Sequence, residues 1–215
     1  MLLVARDTKQ LRKVAIDLEQ MGTEVSILPL DLTEPRRVHA TVVKALRHHP
    51  PIDLLVNCAG VAHQGRFIES HLQQLETELM TNLLGMYTIT RIVARQMMRR
   101  RQGHIVNVSS LMGKVAAPSM AIYSATKHAI VGFSQALRAE LAPHNIKVTN
   151  LMPSLTKTDM VKDMTPFRWV QAARPEQVAK AMVAGIKRGK REILVGWQSH
   201  AAVWCDRSLP GCLPR

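Results

Sequence analysis

Ile105-Val106-Asn107-Val108-Ser109-Ser110 is a short aliphatic run ending on two serines, and thirteen residues after Ser110 comes Tyr123-Ser124-Ala125-Thr126-Lys127, near the start of a helical pattern. The first run reads as a strand buried on both faces, because β-branched and aliphatic residues follow one another with little polar alternation. Similar runs stand at Leu2 to Ala5, Val25 to Leu30, Ile52 to Val56, Ile146 to Leu151 and Glu192 to Gly196. Helical patterns separate them. Leu11, Val14, Ala15 and Leu18 repeat at i, i+3, i+4 and i+7, and Gly22 stops that helix before the next strand. Val38 to Leu46, Leu72 to Arg101 as one or two helices, Tyr123 to Leu141 and Glu176 to Ile186 continue the series. This alternation predicts an α/β fold, a doubly wound parallel sheet with helices on both faces. No repeat, linker or shift in composition divides the chain, so residues 1–196 read as one domain and 197–215 as a tail with no regular element assigned.

The composition agrees. Of 215 residues, 47% are apolar and 21% charged, which is the mix of a globular protein and excludes disorder as the main state. No apolar stretch is long enough to span a membrane, and Met1 to Ala5 meets Arg6 too soon for a signal peptide. Cys58, Cys205 and Cys212 form neither a disulfide framework nor a zinc motif, which points to a reducing, cytoplasmic compartment. The nine histidines have no metal-ligand spacing, so no metal is expected. A net charge of +13 would attract a phosphorylated cofactor, a polyanion or an anionic membrane surface. Arg99-Arg100-Arg101 and Lys187-Arg188-Gly189-Lys190-Arg191 each end a helical pattern, where cations complement the helix dipole. Peripheral membrane contact is compatible with them. Nucleic-acid binding is not expected, since few aromatics interleave the basic residues.

Tyr123 and Lys127, four apart, share a helix face. An ammonium beside a phenol favours phenolate, and so is expected to bring the Tyr123 pKa down from its ordinary ~10 toward neutrality. Ser110, at a strand's carboxyl end where parallel sheets place ligands, could hold a substrate oxygen while Tyr123 protonates it.

In spacing and context, Ser110, Tyr123 and Lys127 resemble the catalytic residues of the short-chain dehydrogenase/reductase family. Asn57-Cys58-Ala59-Gly60 is similar to the family's Asn-Asn-Ala-Gly, with Cys in place of the second Asn. Asn82, in Thr81-Asn82-Leu83-Leu84-Gly85, matches the asparagine that completes the family's tetrad. Pro153-Ser154-Leu155-Thr156-Lys157-Thr158 resembles the stretch that closes over nicotinamide, with Ser for Gly at 154. Asp31, followed by Leu32, matches an aspartate that contacts adenine, and Arg6 the arginine of members preferring the phosphorylated dinucleotide. The resemblance implies hydride transfer between NADP(H), ahead of NAD(H), and a carbonyl or secondary alcohol. Tyr123 would be the proton donor, Ser110 the oxygen anchor, Lys127 the ribose holder, and Asn82 the residue fixing a relay water. Arg6, Asp31, Leu32, Asn57, Ala59, Gly60, Tyr123, Lys127, Pro153, Thr156 and Thr158 would hold the cofactor. A homodimer or homotetramer through the helices in 72–101 and 123–141 is also implied.

The ending after Pro175 resembles the branch acting on lipophilic carbonyls. Met160, Val161, Met164, Phe167 and Trp169 would form an apolar lid or simply pack on the core. No two of the eleven glycines lie two residues apart, so no Gly-x-Gly-x-x-Gly loop is present. The chain is therefore expected to begin inside the family's second strand, without a first strand, glycine loop and helix of about 30 residues. Its start is either assigned too late or that of a remnant. The alternative to an enzyme is an impaired relative serving as a binding or structural protein, or a basic binder of nucleic acid or membrane.

Overall fold

The computed structural model describes residues 1–162, 164–165 and 171–208. Six parallel strands alternate with helices: β1 (Leu2–Ala5), α1 (Thr8–Gln20), β2 (Ser26–Pro29), α2 (Pro35–Leu46), β3 (Leu54–Asn57), α3 (Leu72–Leu79), α4 (Met86–Arg100), β4 (Gly103–Val108), α5 (Ala121–Leu141), β5 (Ile146–Met152), α6 (Pro175–Lys187), β6 (Glu192–Leu194) and α7 (Trp197–Ser208). A π-helical turn, Met80–Gly85, joins α3 to α4. Helix ends follow local chemistry. The Asp7 side chain caps α1 by accepting from the backbone of Lys9 and Gln10, and Pro35 and Pro175 open α2 and α6, where a missing N–H costs nothing.

The strands form two sheets, β1-β2 and β3-β4-β5-β6. Among the described residues, no strand joins β1 to β3. Both sheets nevertheless pack on one core, in which Val38, Val42 and Leu46 of α2 meet Ile92, Val93 and Met97 of α4, with Ile105, Val148, Leu2 and Leu55 beneath. On the opposite face Val178 and Met182 of α6 cover Val106, Leu151 and Ile193. Strands β4 and β5 are thus clad on both sides, whereas Leu54 and Val56 of β3 stay exposed, contrary to the expectation that this run is buried on both faces.

Residues 197–208 differ from the sequence expectation, for the tail begins with the regular helix α7. Ser199 is buried, and its hydroxyl donates to the Val195 carbonyl at 2.7 Å. Trp197 and Trp204 are exposed, so no apolar stripe announces this helix.

A buried polar network locks the central strands together. The Asn57 amide donates to the Thr90 hydroxyl and to Asn107 Oδ1, both at 2.8 Å, and Asn107 donates to Ser134 at 2.9 Å. Gly85 brings the π-helical turn against the loop after β2: a Cβ there would lie 2.7 Å from the Leu32 Cβ and carbonyl oxygen. Gly85→Ala is therefore expected to cost about 1–3 kcal/mol by overpacking, read as a lower urea midpoint with an unchanged slope.

Candidate active site

Ser110, Tyr123, Lys127, Asn57, Gly60 and the segment after Pro153 stand at or near the carboxyl ends of the strands, where a parallel sheet opens toward ligands. Ser110 follows β4 and caps the next short turn, its hydroxyl accepting from the Met112 N–H at 3.1 Å. That turn is pressed onto α5. A Cβ on Gly113 would lie 2.5 Å from Ser109 Oγ and 2.7 Å from the Lys127 carbonyl oxygen. The Leu111 N–H donates to the Pro153 carbonyl at 2.8 Å, tying the Ser110 turn to the segment after β5.

Ser110, Tyr123, Lys127, Gly60, Pro153, Thr156 and Thr158 line one cavity of about 360 Å³. Met112, Met120, Met160, Val161, Met164, Val178 and Met182 complete an apolar wall. Of the five residues expected to form a lid or pack on the core, Met160, Val161 and Met164 line this space, while Phe167 and Trp169 lie outside the described residues. Ser154, standing where the family pattern has Gly, needs no left-handed backbone. Its segment is pinned by Lys157 N–H to the Ala173 carbonyl at 2.9 Å and Ala173 N–H to the Leu155 carbonyl at 2.8 Å.

The other expected residues stand outside the cavity lining. Asn57 spends its side-chain amide on the network described above, which leaves its main chain to face a ligand. Ala59 is exposed beside it. Asn82 lies in the π-helical turn, a distortion that often marks functional sites, and is 1% exposed. It clamps the loop after β3, accepting from the Val61 N–H at 2.8 Å and donating to the Val61 carbonyl at 2.9 Å. Its amide also reaches Thr126 Oγ1 at 3.2 Å, between Tyr123 and Lys127. Arg6 and Asp31 end the two strands of the smaller sheet. Asp31 accepts from the Thr33 N–H and hydroxyl at 2.9 and 2.8 Å, and these bonds, with smaller help from the charges of Arg6 and Arg37, hold its pKa below the ordinary value. Leu32 backs onto Gly85.

The electrostatics correct one expectation. The Tyr123 phenol is not drawn toward neutrality: burial pushes it up to about 12, the hydrogen bond with Ser110 works downward, and the Glu78 charge pushes up again. The Lys127 ammonium lies 5.3 Å from the Tyr123 ring centre and donates to the Val108 carbonyl at 3.0 Å. Burial brings Lys127 down to about 8, against the opposing influence of Cys58 and Glu78. The desolvation that raises the phenol therefore also acts on its neighbour, in the direction that favours the neutral amine.

Glu78 escaped the sequence reading. It is 1% exposed, four residues before Asn82, and its Oε1 accepts from the His63 N–H at 2.6 Å and lies 3.0 Å from His63 Nδ1. Its Oε2 has no hydrogen-bond partner among the described residues. Burial raises its pKa while the bonds to His63 work downward. The signal was a carboxylate three residues after Leu75 on the inward face of a helix, a place that favours apolar side chains.

The residues fit the nicotinamide half of a dinucleotide. At Gly60 a Cβ would meet Asn82 Oδ1 at 3.3 Å and Lys127 Nζ at 3.5 Å, so bare backbone borders the ammonium. Among the described residues no three His, Cys, Asp or Glu side chains are grouped to hold a metal ion, and no helix is long and apolar enough to cross a membrane.

Residues 1–169 match the family model described as short chain dehydrogenase. A dehydrogenase/reductase SDR family protein 7-like of Anopheles gambiae is 31% identical over 225 residues, covering 97% of this chain and 71% of that protein. Dehydrogenase/reductase SDR family member 7B of Xenopus laevis is 26% identical over 91% of this chain, which spans 65% of that protein's length. The 3-oxoacyl-(acyl-carrier-protein) reductase FabG of Chlamydia trachomatis is 33% identical over 76% of this chain and 69% of its own. Among solved structures, a short-chain dehydrogenase from Sphingobium yanoikuyae in complex with NADPH superposes with a TM-score of 0.82 at 27% identity, covering 100% of this chain and 86% of that one. The bulky-bulky ketone specific alcohol dehydrogenase from Comamonas testosteroni gives 0.80 at 25%, covering 100% and 84%. The sheet, the cavity and these likenesses agree, and the chain belongs to the short-chain dehydrogenase/reductase family of NAD(P)-dependent oxidoreductases.

Proposed function

We propose that the protein moves a hydride between NADP(H) and the carbonyl carbon of a lipophilic ketone or the matching secondary alcohol, with Tyr123 as general acid and base. The observation that carries this reading is the meeting of Ser110, Tyr123 and Lys127 at a cavity whose remaining wall is mostly apolar. The cofactor, when bound, supplies or accepts the hydride. Tyr123 gives its phenolic proton to the substrate oxygen, which Ser110 holds by a hydrogen bond. Lys127 places a positive charge beside the phenolate that remains, and Asn82 fixes the loop carrying Gly60 against α5. Pro153, Thr156 and Thr158 line the nicotinamide side, with the main chain of Asn57 and Ala59 next to Gly60. Asp31 and Leu32 take the adenine end.

Arg6 is exposed at the end of β1 and makes no side-chain bond among the described residues, which leaves its planar fork free for a 2′-phosphate. Arg6→Asp is expected to lower the NADPH:NADH ratio of catalytic efficiencies about tenfold or more, the worth of one charge-assisted contact. An unchanged ratio removes Arg6 from cofactor choice. Leu72, Leu79 and Leu84 are exposed along α3 and the π-helical turn, the region through which a second copy would pair.

The reading is tested by titrating the chain with NADPH and NADH in a calorimeter and following NADPH oxidation with bulky aryl ketones and with small polar ones. Binding of NADPH with turnover of the bulky ketones is expected. A folded chain that binds neither dinucleotide overturns the reading.

A further inference from the structure

In a parallel sheet every helix returns the chain to the edge where strands begin, opposite the edge that holds Ser110 and Tyr123. Three such returns carry cations in this protein. Arg99, Arg100 and Arg101 close α4, Lys147 follows the first residue of β5, and two pairs of basic residues between 187 and 191 flank Gly189 at the end of α6. All eight residues are exposed, although the Arg100 side chain, held by Asp53 and the Ile52 carbonyl, is itself 30% exposed. Their spacing in the sequence conceals that they are neighbours.

Hydrogen bonds fasten the three turns into one surface. The Arg101 guanidinium donates to the Pro143 carbonyl at 2.8 Å, and Asn145 donates to the Arg101 carbonyl at 3.0 Å, joining the turn before β4 to the turn before β5. The Thr149 hydroxyl donates to the Lys190 carbonyl at 2.7 Å and Arg138 to the Arg191 carbonyl at 3.0 Å, which adds the turn before β6. Counter-charge is outnumbered: Asp53 pairs with Arg100 at 2.9 Å, Glu192 turns to Lys114 at 3.0 Å, and Glu140 is exposed in the last turn of α5. Neighbouring groups feel the excess. Burial first, and then the Lys147 charge, holds His104 below its ordinary pKa.

We propose that this basic edge of the sheet docks on an anionic lipid bilayer. Among the described residues the charge sits on helix ends and strand starts spread over a broad edge, unlike the helix flank or two-stranded ribbon that enters a nucleic-acid groove. None of the eight residues is accompanied by an exposed aromatic ring in its turn, so stacking on bases has no platform. A cluster of four to eight Lys and Arg on one face is what the negative potential of phosphatidylserine-rich leaflets attracts. Docked in this way, the Tyr123 cavity at the far edge opens away from the bilayer. The inference stands independently of the reaction proposed above.

The test is co-sedimentation of the full chain with phosphatidylcholine vesicles, with and without phosphatidylserine, at rising salt. Binding only to vesicles containing phosphatidylserine is expected, fading as salt shortens the screening length. The pairs Arg99→Glu with Lys147→Glu, and Lys187→Glu with Arg188→Glu, are each expected to lower the partition coefficient at least about tenfold. These four side chains make no ion pair or hydrogen bond among the described residues, so circular dichroism matching the wild type is expected for both pairs. Absence of binding at low salt, equal binding to both vesicle types, or full retention by both folded pairs overturns the proposal. So does a DNA duplex of arbitrary sequence that displaces the protein from the vesicles, which would assign the edge to nucleic acid.

Discussion

Replacing Tyr123 with phenylalanine is expected to lower ketone reduction by roughly 10³-fold or more, while the dissociation constant for NADPH changes little. The lost phenol lines the same cavity as Ser110, and general acid catalysis supplies about 10²–10⁴-fold by itself. Desolvation makes the dependence steeper. With its pKa pushed up to about 12, the phenol of the free protein is wholly protonated at neutral pH, ready to donate. The phenolate left behind needs the Lys127 charge and whatever the bound substrate complex adds. Turnover in Tyr123→Phe within about tenfold of the wild type would take Tyr123 out of the mechanism. Stopped-flow reduction together with calorimetric binding of NADPH separates the two effects.

Lys127→Met is expected to abolish turnover to a similar degree and yet to make the folded protein more stable. Lys127 is 4% exposed, and burial brings its pKa from 10.5 to about 8. Folding therefore carries a penalty at neutral pH of about 3 kcal/mol. Methionine fills a similar volume without charge, at the cost of about 1 kcal/mol for the donor lost by the Val108 carbonyl. The variant should gain about 2 kcal/mol at pH 7. The sign with pH follows from a base whose folded pKa is depressed. Below about pH 8 the ammonium is present in both folded and unfolded chains, and the whole penalty applies. Between about 8 and 10.5 only the unfolded chain keeps the proton, so the penalty shrinks as pH rises and vanishes above 10.5. Urea unfolding of both proteins across this range should show the stability gap shrinking as pH rises and reversing, by about 1 kcal/mol, above 10.5. A gap of constant size would mean that the Lys127 amine titrates alike in both states.

The sequence displayed the architecture plainly, because continuous aliphatic runs and helices with a single apolar stripe have different patterns. Ser110, Tyr123 and Lys127 were legible because their spacing sets a strand end against the first turns of a helix. Asn57 was legible as a strand-end residue, but not as the strut between Thr90 and Asn107, since its partners lie 33 and 50 residues away. Glu78 was hidden for a similar reason. Nothing local shows that a loop histidine fifteen residues earlier will offer its N–H to that carboxylate. The phenol's environment also lay beyond local reading: the ammonium is visible in the sequence, whereas the desolvation that outweighs it is a property of the assembled cavity. Helix α7 lacked the apolar stripe on which its recognition would depend.

The division of the sheet has a consequence for how the molecule comes apart. β1 and β2 offer only four paired positions to each other, and two short strands are barely stable alone in water. Their order is borrowed from α1 and from the contact of α2 with α4, whereas β4 and β5 are flanked by strands on both sides. The first fifty residues are therefore expected to open as a weaker unit than the β4-β5 centre, read as faster amide exchange in β1 and β2. Arg6 and Asp31 belong to that weaker unit, and Ser110, Tyr123 and Lys127 to the stronger one. Local opening would accordingly dissolve the adenine end of the proposed cofactor site first, leaving the proton-donating groups in place.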